Sequence, residues 1–378
     1  MSDATIGVLP GDGVGPEVTR QAADVLQAVA DRYGHRFDLR TGLVGLAAVT
    51  ALGVAIDDET FDACAGSDAI LFGAVGSLPA DRSPAGRRPA GAVRPEHALW
   101  RLRKELQLFA NLRPVQALES LHDASTIKPE CLRGTDLVFV RELSAGLYYG
   151  HLESVPGKPS EIRRTPQGAQ AVDTLLYTEH EIERVVRVAF ELAVGRRGRV
   201  TSVDKANVLS SSLLWREVVD RVAPDYPTVV YDHLLVDACA MRLLRAPAEF
   251  DVVVTENLFG DILTDEASML AGSIGMLPSA SLGARRTAAG TFGLYEPIHG
   301  SAPDIAGQDV ANPVGAILSA AMLLRHSLGL ADEAAVVERA VEEVLDQGYR
   351  TPDLHHDGCT LVGTRALGRL VVDRVAAS

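Results

Sequence analysis

Short apolar runs alternate with amphipathic segments along most of the chain. "TIGVL", "AILFGAV", "DLVFV", "RVTSV", "TVVYD" and "DVVVT" are rich in β-branched residues and read as strands. Between such runs, apolar residues return at helical spacing. Val18, Ala22, Val25, Leu26 and Val29 mark a helix that starts at Pro16 and closes at Gly34, and Ala334, Val337, Val341, Val344 and Leu345 mark another packed face. Strands alternating with helices predict an α/β fold with a largely parallel sheet. Such sheets bind ligands outside the carboxyl ends of their strands, which singles out Arg141 and Glu142, then Asp204, Lys205 and Asn207, then Glu256 and Asn257.

At 378 residues the chain exceeds one ordinary core and fits two lobes with a cleft. Two stretches differ in texture. Pro79 to Pro95 is rich in proline, glycine and arginine and reads as a surface loop, while Tyr148 to Gly168 has hairpin-like turn signals and reads as a projecting arm. A net charge of -14 argues against nucleic-acid or anionic-membrane binding, because those surfaces require a basic face. "MSDAT" lacks a secretory n-region, and "VGAILSAAMLL" stops at Arg325, short of the roughly 20 residues of a membrane span, so a cytoplasmic protein is expected. Cys64, Cys131, Cys239 and Cys359 form no CxxC pair and read as buried small hydrophobes.

Several groups carry candidate chemistry. "LPGDGVGPEV" resembles a phosphate-binding glycine loop, but Pro16 breaks GxGxxG and a plain strand-to-helix turn is the alternative. In "NLFGDILTDEAS", Asp261 and Asp265 stand four apart and share a helix face; either Mg²⁺ or Mn²⁺ sits between them, or Asp261 caps an acidic helix start. Arg103, Arg113 and Arg141 have the forked geometry that suits a di- or tricarboxylate, against an exposed basic face formed by Arg101, Arg103 and Lys104. Lys205 is a candidate base or an ion-pair partner of Asp204, and Tyr148 a candidate acid or an ordinary hairpin aromatic. The loop "YEPIHGSAPDIAG" lets backbone approach a ligand at His299, Gly300, Ser301 and Ala302, with Asp304 placed for ribose hydroxyls; its alternative is a capped turn before a helix near Pro313.

"GDGVGPEV", "LRKELQLFANLRP", "VRELSAGLYYG", "SVDKANVL", "TENLFGDILTDEAS", "LPSASLG" and "EPIHGSAPDIAG" occur in this order between about residues 5 and 330. Together they resemble the β-decarboxylating dehydrogenases of the isocitrate/isopropylmalate family. The resemblance implies two α/β domains around a central cleft and a dinucleotide site that is not of Rossmann type. It implies a discontinuous cofactor domain over 1–108 and 272–378, and a substrate, metal and dimerisation domain over 109–271 with the arm near 148–168. It further implies that Arg103, Arg113 and Arg141 bind substrate carboxylates, that Asp237, Asp261 and Asp265 hold Mg²⁺ or Mn²⁺, and that Lys205 and Tyr148 transfer protons. Asp237 and Lys205 are then supplied by the other subunit of a homodimer. Glu296, His299, Gly300, Ser301, Ala302, Asp304 and Asn312 surround NAD, and Asp304 followed by Ile305 matches NAD users. The resemblance also implies that Glu96, Leu99 and Trp100, with Val208 from the other subunit, line an alkyl pocket, with Trp100 standing where leucine is usual. The implied reaction is oxidative decarboxylation of 3-isopropylmalate, with D-malate, tartrate or homoisocitrate as alternative substrates.

Overall fold

The structure, a computed structural model, describes residues 2–76, 93–150 and 160–378. Most of the Pro79 to Pro95 loop and residues 151–159 of the expected arm lie outside these. The described chain divides into two compact units. The first comprises Met1–Leu108, Leu118–Thr126 and Ala271–Ser378, and the second Phe109–Ala117 and Ile127–Leu270.

In the first unit, strands run in the order Arg36–Thr41, Asp3–Gly11, Ala69–Ala74, Thr291–Pro297 and Pro278–Arg286. The first four are parallel to their neighbours and the last is antiparallel. Ala69–Ala74 is buried at every position, as a central strand covered on both faces must be. One core cluster gathers Leu9, Ile70, Phe72, Leu102, Phe292 and Leu294. The helix Gly15–Tyr33 starts with proline in its first turn and ends at Gly34, whose φ of 72° supplies the left-handed cap expected there. Ala334, Val337, Val341, Val344 and Leu345 are buried along the helix Ala331–Asp346.

In the second unit, the order is Ala110–Gln116, Asp136–Glu142, Val252–Thr255, Arg199–Asp204 and Val230–Leu235. Only the first pairing is antiparallel. The sheet strands are thus largely parallel, as expected, with one antiparallel neighbour pair in each of these two strand orders. Ala110–Gln116 contains both Arg113 and Pro114, and its lack of an apolar run hid it from the hydropathy pattern. The helix Glu179–Val194 opens with a capping box between Thr178 and Glu181 and buries Ile182, Val185, Val186, Ala189 and Phe190. A hairpin of Glu161–Thr165 and Gly168–Val172 forms the described part of the arm. Of the cysteines, Cys64 and Cys239 are buried, but Cys131 and Cys359 are only half-buried. No helix among the described residues is long and apolar enough to cross a membrane.

Candidate active site

The second unit assembles a tight cluster of charges on the helix Asn257–Ser268. Its cap is Glu256, whose side chain accepts from the Phe259 N–H at 2.8 Å. Asp261 is therefore free of the capping role and sits one turn further on. It meets the Arg141 guanidinium and the Tyr148 hydroxyl in short contacts, with Arg113 Nη2 at 3.7 Å. Asp265 lies 4.0 Å from Arg113 Nη1 and is 59% exposed. Burial pushes the Asp261 pKa up, but Arg141, the Tyr148 hydrogen bond and Arg113 outweigh it and hold Asp261 below the ordinary carboxylate range. Asp265 moves the other way, raised by burial and by the Asp261 charge beside it. Tyr148, on the short 3₁₀ turn Leu147–Tyr149, is raised by burial and by Asp261, so it keeps its proton at neutral pH.

Both arginines are buried and held by uncharged groups. Arg113 donates from Nε to Asn111 Oδ1 at 2.7 Å and from Nη1 to the Thr264 hydroxyl at 2.6 Å. Arg141 donates from Nε and Nη2 to Asn257 Oδ1 at 2.9 and 2.7 Å. Each guanidinium is thus fixed by neutral acceptors while it faces Asp261.

Next to Arg141, Glu142 is wholly buried and accepts from the Ser144 N–H and hydroxyl and the Ala145 N–H. Burial raises its pKa from 4.5 to about 7 despite these bonds and Arg184 nearby. Its contribution to stability is therefore full below pH 4.5 and declines as pH rises to about 7. Relative to Glu142→Gln, the wild type should lose roughly 3 kcal/mol of unfolding free energy over that interval, with no further change above it. Denaturant titrations at several pH values check this, and a constant difference would contradict it.

Lys205 follows the strand Arg199–Asp204, but its partner differs from the sequence alternative. Asp204 is buried and bonded to Arg216 Nε at 2.7 Å and the Ala206 N–H at 2.8 Å. Lys205 Nζ instead meets Asp237 at 2.6 Å, and this hydrogen bond holds the Asp237 pKa down. Asp237 therefore stands with Lys205 and does not complete a metal centre within one chain. Among the described residues, no three histidine, cysteine, aspartate or glutamate side chains are grouped to hold a metal ion. Val208, on the turn after Lys205, is exposed.

In the first unit, Arg103 is no part of an exposed basic face. Its Nη2 meets buried Glu296 at 2.7 Å, whereas Arg101 is tied to Asp58 at 2.7 Å and to Glu105 at 3.1 Å. Glu96 is the N-cap residue of the same helix, and Leu99 packs against the core cluster. Trp100 is half-buried, its ring 5.3 Å from that of His97.

The glycine turn and the later loop touch directly. Val14 N–H donates to the Ser301 carbonyl at 2.8 Å, and Gly13, at φ +59°, leaves room for that oxygen, which a Cβ would approach to 1.8 Å. Asp12 accepts from Leu46, Ala47 and Gly76 N–H groups and so is committed to the fold. The turn is thus a backbone fitting for the 299–304 loop. Gly13→Ala is expected to lower unfolding free energy by about 2 kcal/mol or more, read by thermal denaturation; an unchanged melting temperature would contradict the packing. Gly300 has open space where a Cβ would stand, Ala302 adopts φ +37°, and Asp304 is exposed. His299 Nε2 is buried without a hydrogen-bond partner. Asn312 is buried and donates to Asp353 at 3.1 Å.

Residues 5–371 match the family described as isocitrate/isopropylmalate dehydrogenase. The chain belongs to that family. It is 56% identical to a 3-isopropylmalate dehydrogenase of Priestia megaterium over 95% of this chain and 92% of the relative. It is 54% identical to one from Halalkalibacterium halodurans over 99% and 98%. Among solved structures, an isocitrate dehydrogenase from Methylococcus capsulatus superposes with a TM-score of 0.82 at 34% identity, covering 98% of this chain and 99% of that one. The apo form of a β-decarboxylating dehydrogenase from Thermococcus kodakarensis gives 0.74 at 36% identity, over 99% and 96%.

Sequence reasoning named Asn257 as a strand-end candidate but missed its role on Arg141. It missed Tyr177 and Gly260 altogether. Tyr177 donates to Glu256 at 3.2 Å and accepts from the Asn257 N–H at 2.9 Å, and Gly260 makes room for the Arg141 stem. No local pattern marks either residue.

Proposed function

We propose that this chain catalyses the NAD-dependent oxidative decarboxylation of 3-isopropylmalate to 4-methyl-2-oxopentanoate, a step of leucine biosynthesis. The reading is carried by the cluster of buried Arg113 and Arg141 with Tyr148, Asp261 and Asp265, in a chain more than half identical to enzymes named for that reaction. The two arginines take the substrate carboxylates, with Arg103 as a third contact. Asp261 and Asp265 fit a hard cation, Mg²⁺ or Mn²⁺: both are oxygen donors on one helix face, and their mutual repulsion favours a positive charge between them. Asp237 of the partner subunit is the third donor in a cytoplasmic homodimer. When bound, the cation supplies Lewis acidity toward the C2 hydroxyl and the keto oxygen that replaces it.

Lys205 of the partner subunit removes the C2 hydroxyl proton. Glu296, His299–Ala302, Asp304 and Asn312 would hold NAD, which would supply the hydride acceptor for C2. The unpartnered His299 Nε2 and the open backbone at Gly300 suit such a ligand, and Asp304 repels a 2′-phosphate. As carbon dioxide leaves, Tyr148 gives its proton to the carbon left behind, a donation its raised pKa keeps available. Leu99, Trp100 and Glu96, with Val208 of the partner subunit, would line the alkyl pocket.

Comparing kcat/KM on 3-isopropylmalate and D-malate, each with NAD or NADP and Mg²⁺, tests the reading. At least about a tenfold preference for 3-isopropylmalate with NAD is expected. Preference for D-malate would overturn the substrate, and preference for NADP the cofactor.

A further inference from the structure

The Arg141 fork is held by a neutral side chain. Asn257 Oδ1 accepts two of its N–H groups, at 2.9 and 2.7 Å, and leaves Nη1 on Asp261. The other end of the amide donates from Nδ2 to the Ala145 carbonyl at 3.0 Å, which fixes which way round it sits. The Asn257 backbone is tied down as well: its N–H donates to the Tyr177 hydroxyl at 2.9 Å. Gly146, at φ +80°, makes room for that hydroxyl, which a Cβ would approach to 2.4 Å. Asn257 is 1% exposed and Arg141 3%, so neither is adjusted by solvent.

A carboxylate in place of this amide would orient the guanidinium and also neutralise it. Arg141 already meets one carboxylate in Asp261, and a second would leave it little attraction for an anion. We propose that Asn257 is a positioning residue for substrate recognition, locking the Arg141 fork in one orientation while leaving its charge for a substrate carboxylate. The inference rests on the reading of Arg141 as a substrate-binding residue.

The test is steady-state kinetics on the intact protein with Mg²⁺, varying 3-isopropylmalate and NAD in turn. The variants are Asn257→Ala, Asn257→Asp, Arg141→Lys and the Asn257→Ala/Arg141→Lys pair. Asn257→Asp, nearly the same shape, should raise KM for 3-isopropylmalate about tenfold or more and leave KM for NAD within about twofold. Asn257→Ala should do likewise in the wild-type background but change KM less than about twofold beside Arg141→Lys, since lysine has no fork to orient. Unchanged KM in both single variants, effects that multiply in the pair, or equal rises in both KM values would overturn the role. Should Asn257→Ala fail to fold, Asn257→Asp decides alone. A wild type silent on 3-isopropylmalate would refute the proposed reaction separately. The role is then read from the thermal shift given by D-malate: its loss in Asn257→Asp supports the role, and its persistence, or no shift in the wild type, overturns it.

Discussion

Replacing Lys205 with methionine is expected to lower kcat about 10²- to 10⁴-fold, the range typical of a lost general base. The melting temperature should stay within about 2 °C of the wild type. The two expectations have separate physical grounds. Lys205 is placed by its backbone, whose N–H donates to the Ser212 hydroxyl at 3.0 Å, and that bond survives the substitution. Its ammonium touches Asp237, and both side chains reach solvent, so their ion pair contributes little to folding. Methionine keeps the length of the stem and removes the proposed proton acceptor. A kcat reduced less than about tenfold would take Lys205 out of proton transfer.

Gly260→Ala is expected to lower kcat/KM for 3-isopropylmalate about 100-fold, the scale of a roughly 1 Å misplacement. Alanine is the better helix former, and Gly260 lies inside Asn257–Ser268, so local propensity favours the change. The conflict is tertiary. A Cβ at 260 would stand 2.7 Å from Arg141 Cγ, 2.9 Å from its Cβ and 3.1 Å from its Cδ. These atoms belong to the stem near the strand, which cannot swing aside as a chain end would, so the guanidinium must move. Circular dichroism should show an intact helix while binding of 3-isopropylmalate weakens; wild-type affinity in Gly260→Ala would contradict the cradle described for Arg141.

The legible parts of the fold were those written locally. Valine-rich runs such as Val252–Thr255 declare themselves because a buried parallel strand needs apolar residues on both faces. Ala110–Gln116 did not, because its Arg113 and Pro114 belong to the site and to a pairing that tolerates them. Candidate site residues followed the same division. The spacing of Asp261 and Asp265 was visible within one helix turn, but Lys205 passes over its neighbour Asp204 for Asp237, which lies 32 positions away. Asp204 was already taken by Arg216 beneath the sheet end, a commitment no nearest-neighbour reading detects. The glycine turn misleads for a related reason. Glycine spacing reports where backbone must approach something closely, and here Gly13 meets the Ser301 carbonyl of a distant loop where a phosphate loop would meet a ligand.

Oxidation and decarboxylation are proposed to occur together at the Arg113, Arg141, Tyr148, Asp261 and Asp265 cluster with a divalent cation. NADH and carbon dioxide are followed in parallel from 3-isopropylmalate, with Mg²⁺ and again after chelation. Equal yields of the two products, both abolished by the chelator and restored by Mg²⁺ or Mn²⁺, are predicted. NADH without carbon dioxide, or turnover indifferent to the metal, would contradict it.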